Sequence, residues 1–179
     1  MEAITLSDGT PVSIDELVRL AAHDSLLYSQ IFFPKAARFQ SPSFHRSVWN
    51  AFEDPTFRYA NLQMFRGSAK TTLSRLFISK RVAYRMSKTI LLVGASESHA
   101  VRSIQWLRNN VERNQLWAST FGLKPGRKWQ ETEIEITSEI DGSAVWILAV
   151  GITGNIRGIN FDDYRPDLIF LDDVITDEN

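Results

Sequence analysis

A chain of 179 residues, 44% of them hydrophobic and 23% charged, is long enough for one domain with a substantial core, and one domain is the expectation. A formal charge of −1 excludes the strongly basic balance of a domain that coats nucleic acid, and the lack of cysteine excludes disulfides and thiolate metal sites. No apolar run approaches the length of a membrane span, and Met1-Glu2-Ala3-Ile4-Thr5 lacks the basic then apolar layout of a secretory signal, so a cytosolic chain without membrane contact is expected. His23, His45 and His99 are too scattered to suggest zinc.

Ser13-Ile14-Asp15-Glu16 has the form of a capping box, and Ile14, Leu17, Leu20, Ala21, Leu27 and Ile31 continue at helical spacing, which predicts one helix to about Ile31, ended by Pro34. Ser43 to Phe52, with Ser43 as N-cap, places Phe44, Val48, Trp49 and Phe52 on one helical face. Arg58 to Phe65 alternates enough to be a strand. Thr71 to about Met86 follows as a helix whose buried stripe is Leu73, Leu76, Phe77 and Ala83.

Thr89-Ile90-Leu91-Leu92-Val93 is a compact apolar run suited to a parallel strand, and Ser96 caps an expected helix through about Leu116. Gly122 to Trp129 reads as a loop, Glu133 to Thr137 as an alternating strand, and Asp141-Gly142 as the turn of a hairpin that continues through Ala144 to Val150. After a glycine-bearing connection from Gly151 to Tyr164, the apolar run Leu168-Ile169-Phe170-Leu171 has the character of a strand buried on both faces. The order of elements predicts an α/β fold, a mostly parallel sheet sandwiched by helices, with residues 1–57 as a helical lead-in and 58–179 as the core.

Three motifs carry chemistry. Phe65-Arg66-Gly67-Ser68-Ala69-Lys70-Thr71-Thr72 joins the expected strand to the expected helix, the layout of a phosphate cradle in which backbone N–H groups and a helix N-terminus face the anion. Lys70 then reaches the β and γ phosphates and Thr71 ligates Mg²⁺. The general pattern asks for glycine where Ala69 and Met64 stand, so an ordinary strand-to-helix turn is the alternative. Farther on, the apolar run ends in Asp172-Asp173, which reads as Walker B: Asp172 holds Mg²⁺ directly or through water and Asp173 polarises the attacking water, unless the pair merely opens a solvated loop. Between them, Gly154-Asn155-Ile156-Arg157-Gly158 sets an arginine among glycines, a candidate for the positive charge that phosphoryl transfer needs. Lys80, Arg81, Arg85 and Lys88 crowd one helix end and Lys124, Arg127 and Lys128 a loop; such clusters are solvated faces or favourable charges at a helix C-terminus unless they touch nucleic acid.

The chain resembles the ATPase region of the large terminase subunit, the DNA-packaging motor of tailed bacteriophages and prophages. The resemblance is carried by Arg66 to Thr72, Leu91 to Ser96, Gly154 to Gly158, and Arg165 to Asp173 with the tail Thr176-Asp177-Glu178-Asn179, and it covers most of the chain from about Phe32. Terminases often have a deviant P-loop with arginine four residues before the lysine, which Arg66 matches.

The resemblance implies a P-loop NTPase core of the ASCE/RecA-like kind that uses ATP and Mg²⁺. Arg66, Gly67, Ser68, Ala69, Lys70, Thr71 and Thr72 would bind nucleotide, with Arg66 sensing the γ phosphate and Phe44-His45-Arg46 lying near the adenine. Thr71 and Asp172 would serve the metal, and Arg157 would act on a neighbouring subunit. The family usually has glutamate where this chain has Asp173, and Glu178 is the nearest alternative base.

The expected partners are double-stranded DNA, the portal protein, the small terminase subunit and further copies in a ring, in the cytoplasm of a bacterial host. Because the sequence stops at Asn179, just past the acid pair, a core incomplete at its C-terminus and without a nuclease domain is expected, from a cut or truncated product. A helicase-like P-loop motor shares the same two motifs. A nucleotide-binding or assembly module without turnover is the alternative outside the enzymes.

Overall fold

The computed structural model describes residues 3–5, 11–37, 41–56, 58–154, 159–160 and 163–174. The fold is α/β, and the chain divides into two compact units, Met1–Lys80 and Arg81–Asn179.

The first unit opens with a short antiparallel ribbon of β1 (Ala3–Thr5) and β2 (Pro11–Ser13). Ser13 then caps α1 (Ile14–His23), its hydroxyl accepting from the Glu16 amide at 3.2 Å as the capping box predicts. The single helix expected to Ile31 is instead two, because the Asp24 carboxylate accepts from the amides of Leu26 and Leu27 and starts α2 (Ser25–Phe32). α3 (Ser43–Glu53) begins at Ser43, with Pro42 rather than Ser43 in the capping position and no side-chain cap.

Residues 58–64 form no strand, contrary to expectation, and lead through a turn into α4 (Lys70–Ala83). Leu17, Ala21, Tyr28, Phe32, Val48 and Trp49 are buried, Tyr28 packs on Phe32 and Phe33 at ring separations of 5.3 and 5.8 Å, and Phe52 stacks on Phe77 at 4.7 Å.

The second unit holds β3 (Thr89–Gly94), α5 (Glu97–Arg113), α6 (Gln115–Phe121), β4 (Leu123–Trp129), β5 (Glu133–Ser138), β6 (Ala144–Gly151) and β7 (Leu168–Asp172). They build a five-stranded mixed sheet in the order β4-β5-β6-β3-β7, flanked by helices. β3 runs parallel to both β6 and β7, while β4-β5 and β5-β6 are antiparallel, so the sheet is half rather than mostly parallel. The expected loop from Gly122 is strand β4, and the expected helix from Ser96 stops at Arg113, where the Asn114 side chain caps α6. β3 is buried along its whole length, with Ile90, Ile134, Ile147, Ile104 and Leu107 in the core. β7 is not: it lies at the sheet edge, with Ile169 54% and Leu171 53% exposed, where burial on both faces is expected from the sequence.

Candidate functional site

The phosphate-loop candidate lies in the first unit. Gly67 has φ +87° and Ala69 φ +64°, so two alternate residues of the turn are left-handed immediately before the first residue of α4. Glycine adopts that conformation freely, whereas an alanine there carries roughly 1–2 kcal/mol of steric strain. Ala69 therefore occupies the conformation for which the general pattern asks glycine. The turn closes through the Ser68 amide, which donates to the Phe65 carbonyl at 3.3 Å, and α4 starts with the Leu73 amide donating to the Ala69 carbonyl at 2.9 Å.

α3 positions this turn from behind. His45 is buried, and its Nε2 lies 3.0 Å from the Ser68 carbonyl oxygen; a carbonyl only accepts, so Nε2 is the donor of this bond. Phe44 adds an edge contact to Phe65 with ring centroids 5.5 Å apart. Neither His45 Nδ1 nor the Ser68 hydroxyl has a hydrogen-bond partner although both atoms are buried. Two orphaned polar atoms on either side of one turn mark a place where a polar group from outside would be satisfied. A cavity of about 360 Å³ opens on the same helix, lined by residues that include Ser25, His45, Arg46, Trp49, Asn50 and Glu53. His45 is thus common to the cavity wall and to the support of the loop.

At one wall of that cavity the Lys80 ammonium is 2% exposed and donates to Glu53 Oε1 at 2.6 Å and to the Ser25 hydroxyl at 2.8 Å, while Ser25 itself donates to Glu53. The expectation of a solvated basic cluster fails here. The other members are also engaged: Arg81 with Ser87 and the Met86 carbonyl, Arg85 with Asp141 at 2.7 Å, and Lys88 over the Tyr164 ring at 4.0 Å. Lys124, Arg127 and Lys128 face Glu139, Glu135 and Glu133 respectively, which weakens the positive field a phosphate backbone would meet.

The acid pair lies in the second unit. Along the carboxyl ends of the three parallel strands, Gly151, Gly94 and Asp172 stand in register, so the Asp172 carboxylate ends a row in which both neighbours lack side chains. Both glycines are needed for close packing: a Cβ on Gly94 would come within 2.8 Å of the Ala100 amide, and one on Gly151 within 2.9 Å of the Glu97 amide. Asp173 follows in the left-handed region at φ +47°, exposed, a conformation aspartate tolerates. The carboxyl edge of parallel strands is where α/β proteins bind ligands.

Arg66 through Thr72 are contiguous in the first unit and Asp172 and Asp173 in the second, while Arg157 and Glu178 lie outside the described residues. Among the described residues no group of three or more His, Asp or Glu is arranged to hold a metal ion, and no helix is long and apolar enough to cross a membrane. Thr71 and Asp172 offer hard oxygen donors, the kind Mg²⁺ takes in ones and twos beside substrate phosphates. The part of His45 in fixing Ser68 has no signal in residue spacing; only the fold reveals it. No family model, curated protein or solved structure matches the chain.

Proposed function

We propose that the chain is the ATPase part of a phage terminase large subunit, a P-loop core that hydrolyses ATP to drive double-stranded DNA into a procapsid. The observation that carries this reading is the turn before α4, where Gly67 and Ala69 are both left-handed and the buried Ser68 hydroxyl lacks a partner. Turns of this kind let successive backbone N–H groups converge on an anion, and a strained alanine persists where a site demands the conformation.

In this reading Arg66 to Thr72 bind the phosphates, Lys70 neutralising the β and γ groups and Arg66 responding to the γ group. The cavity beside His45 and Arg46 takes the base. Thr71 and Asp172 hold Mg²⁺, which when bound supplies charge neutralisation at the phosphate oxygens. Asp173 orients the attacking water, with Glu178 as its substitute, and Arg157 serves a neighbouring copy. The proposed setting is a homo-oligomeric ring with the portal protein and small terminase subunit, in the cytoplasm of the bacterial host.

Titration with Mg·ATP, together with phosphate release in the presence of double-stranded DNA, tests the proposal. Lys70→Ala should abolish binding, and Asp172→Ala should abolish turnover while weakening binding less. Unchanged affinity in Lys70→Ala would refute it. A second reading, a nucleotide-binding module without turnover, draws on Asp173, exposed and one methylene shorter than the family's glutamate. Binding that depends on Lys70 with no phosphate release in the wild type would favour it.

A further inference from the structure

One face of α3 lines the cavity with three side chains of graded character. Arg46, Asn50 and Glu53 stand at i, i+4 and i+7, so they share that face, and the rise of the helix spreads them over roughly 10 Å. Arg46 only donates, Asn50 both donates and accepts, and the Glu53 carboxylate only accepts. Arg46 marks the end nearest the phosphate loop, because its neighbour His45 holds the Ser68 carbonyl. Glu53 marks the far end, because it pairs with Lys80, roughly 15 Å along α4 from Lys70.

Glu53 is the fixed member of the three. Its Oε1 accepts from the Lys80 ammonium at 2.6 Å and from the Ser25 hydroxyl, so two buried groups hold the carboxylate from behind. Its Oε2 has no hydrogen-bond partner among the described residues, while the side chain lines the cavity and stays 30% exposed. A donor placed against that oxygen gains a charge-assisted hydrogen bond, and an acceptor placed there is repelled. Asn50 cannot tell the two apart, since its amide can turn to present either its oxygen or its nitrogen.

We propose that Glu53 determines the specificity of this cavity, selecting a purine nucleotide with a 6-amino group over one with a 6-oxo group. The inference rests on the ATPase reading and deepens it by naming the residue that tells ATP from GTP or ITP. The nucleoside lies along α3 with its ribose towards Arg46 and the loop and its amino group donating to Glu53 Oε2. The span from Arg46 to Glu53 is about the length of a nucleoside, and a cavity of about 360 Å³ is of the size that holds small ligands. A 6-oxo group in the same place sets its oxygen against the carboxylate. Lys80 and Ser25 act through Glu53, as positioning residues.

ATP and ITP differ only in the 6-position group and the N1 proton that goes with it, so the ratio of their Kd values, from calorimetric titration of the whole chain with Mg²⁺, reads this contact. The wild type should bind ATP at least about tenfold more tightly than ITP, the worth of a hydrogen bond to a charged group. Glu53→Gln, whose amide also donates, should bring the two within about threefold. Each ratio is taken within one protein, so a loss of folded variant cancels from it. Purine riboside triphosphate, with hydrogen at position 6, tests the wild type alone and should bind between ATP and ITP, which decides the matter if Glu53→Gln does not fold. Equal wild-type affinities for ATP and ITP, a preference that Glu53→Gln leaves intact, or purine riboside triphosphate binding as well as ATP overturns the proposal. A wild type that binds inorganic triphosphate but no nucleotide overturns it while sparing the phosphate loop, and one that binds none of these ligands refutes the ATPase reading and this inference together.

Discussion

His45 donates from Nε2 to the carbonyl oxygen of Ser68 at 3.0 Å, tying α3 to the turn that precedes α4. The bond makes Nε2 the donor and leaves Nδ1 buried without a partner on a residue that lines the cavity. If the turn binds phosphate, His45 is a positioning residue for it. His45→Ala should lower Mg·ATP affinity about 5–10-fold, the worth of one lost hydrogen bond of ~1 kcal/mol. His45→Gln, which retains a donor, should recover part of the loss. Equal affinities for all three proteins in a calorimetric titration would show that the turn holds its shape without the imidazole.

Ala69 and Gly67 share the left-handed region at φ +64° and +87° but should respond to substitution with opposite signs. Ala69→Gly relieves about 1–2 kcal/mol of strain and adds about 0.5–1 kcal/mol of unfolded-chain entropy, so a gain of about 0.5–1 kcal/mol is expected. Gly67→Ala meets no atom within 4 Å of the new Cβ, so its cost is the strain of about 1–2 kcal/mol less about 0.5–1 kcal/mol of unfolded-chain entropy, a net loss of about 0.5–1 kcal/mol. Urea unfolding of the two variants checks both signs, and a destabilised Ala69→Gly would mean that the turn relaxes in solution.

The Lys80 ammonium is held by Glu53 and Ser25 and is 2% exposed, while the Glu53 side chain is 30% exposed. Removing the anion leaves a buried cation uncompensated, which costs about 3–5 kcal/mol in a dry site and less where water reaches one partner. Glu53→Gln should therefore destabilise by about 2–3 kcal/mol, and Lys80→Met, which removes the charge and retains most of the volume, by less. The order of the two denaturation midpoints is the measurement, and the reverse order would show that water enters the site freely.

Where the pattern of side chains decided the structure, it could be read from the chain: the capping box at Ser13, the run from Thr89 to Val93, the stripe of α4 and the turn at Asp141-Gly142 all behave as their spacing dictates. Where competition between neighbours decided it, the pattern misled. Asp24 offers its carboxylate to two amides and divides one helix into two, which periodicity cannot register. β7 has the composition of a central strand and stands at an edge, because position in a sheet depends on which strands arrive and not on the strand itself. Lys80 sits in a cationic cluster by sequence and in an ion pair by structure, since Glu53 reaches it only through the packing of α3 on α4. The Lys70-Thr71 turn was legible as a motif, yet the strain at Ala69 and the hold of His45 on Ser68 appear only in three dimensions.

The turn between β5 and β6 sets an acid limit to stability. The Asp141 carboxylate accepts from the Ser143 hydroxyl at 2.6 Å and from its amide at 3.0 Å, and Arg85 lies 2.7 Å away. These hydrogen bonds first, and the Arg85 charge after them, pull its pKa down from 3.8 to about 2. A depressed folded-state pKa means that the unfolded chain binds the proton more tightly, so the contribution is fully present above pH ~4 and is lost as the pH falls towards about 2. Asp141→Asn should remove that segment of the pH dependence while leaving stability above pH ~5 lower than in the wild type, because the ion pair with Arg85 is gone. Arg85 carries further consequence: it stands in the turn just past α4, in the left-handed region at φ +55°, and also donates to Ser138 and to the Phe121 carbonyl. Arg85→Ala should therefore destabilise more than Asp141→Asn, and chemical denaturation at pH 3 and pH 6 resolves the two effects, with identical pH slopes in wild type and Asp141→Asn showing that the carboxylate titrates normally.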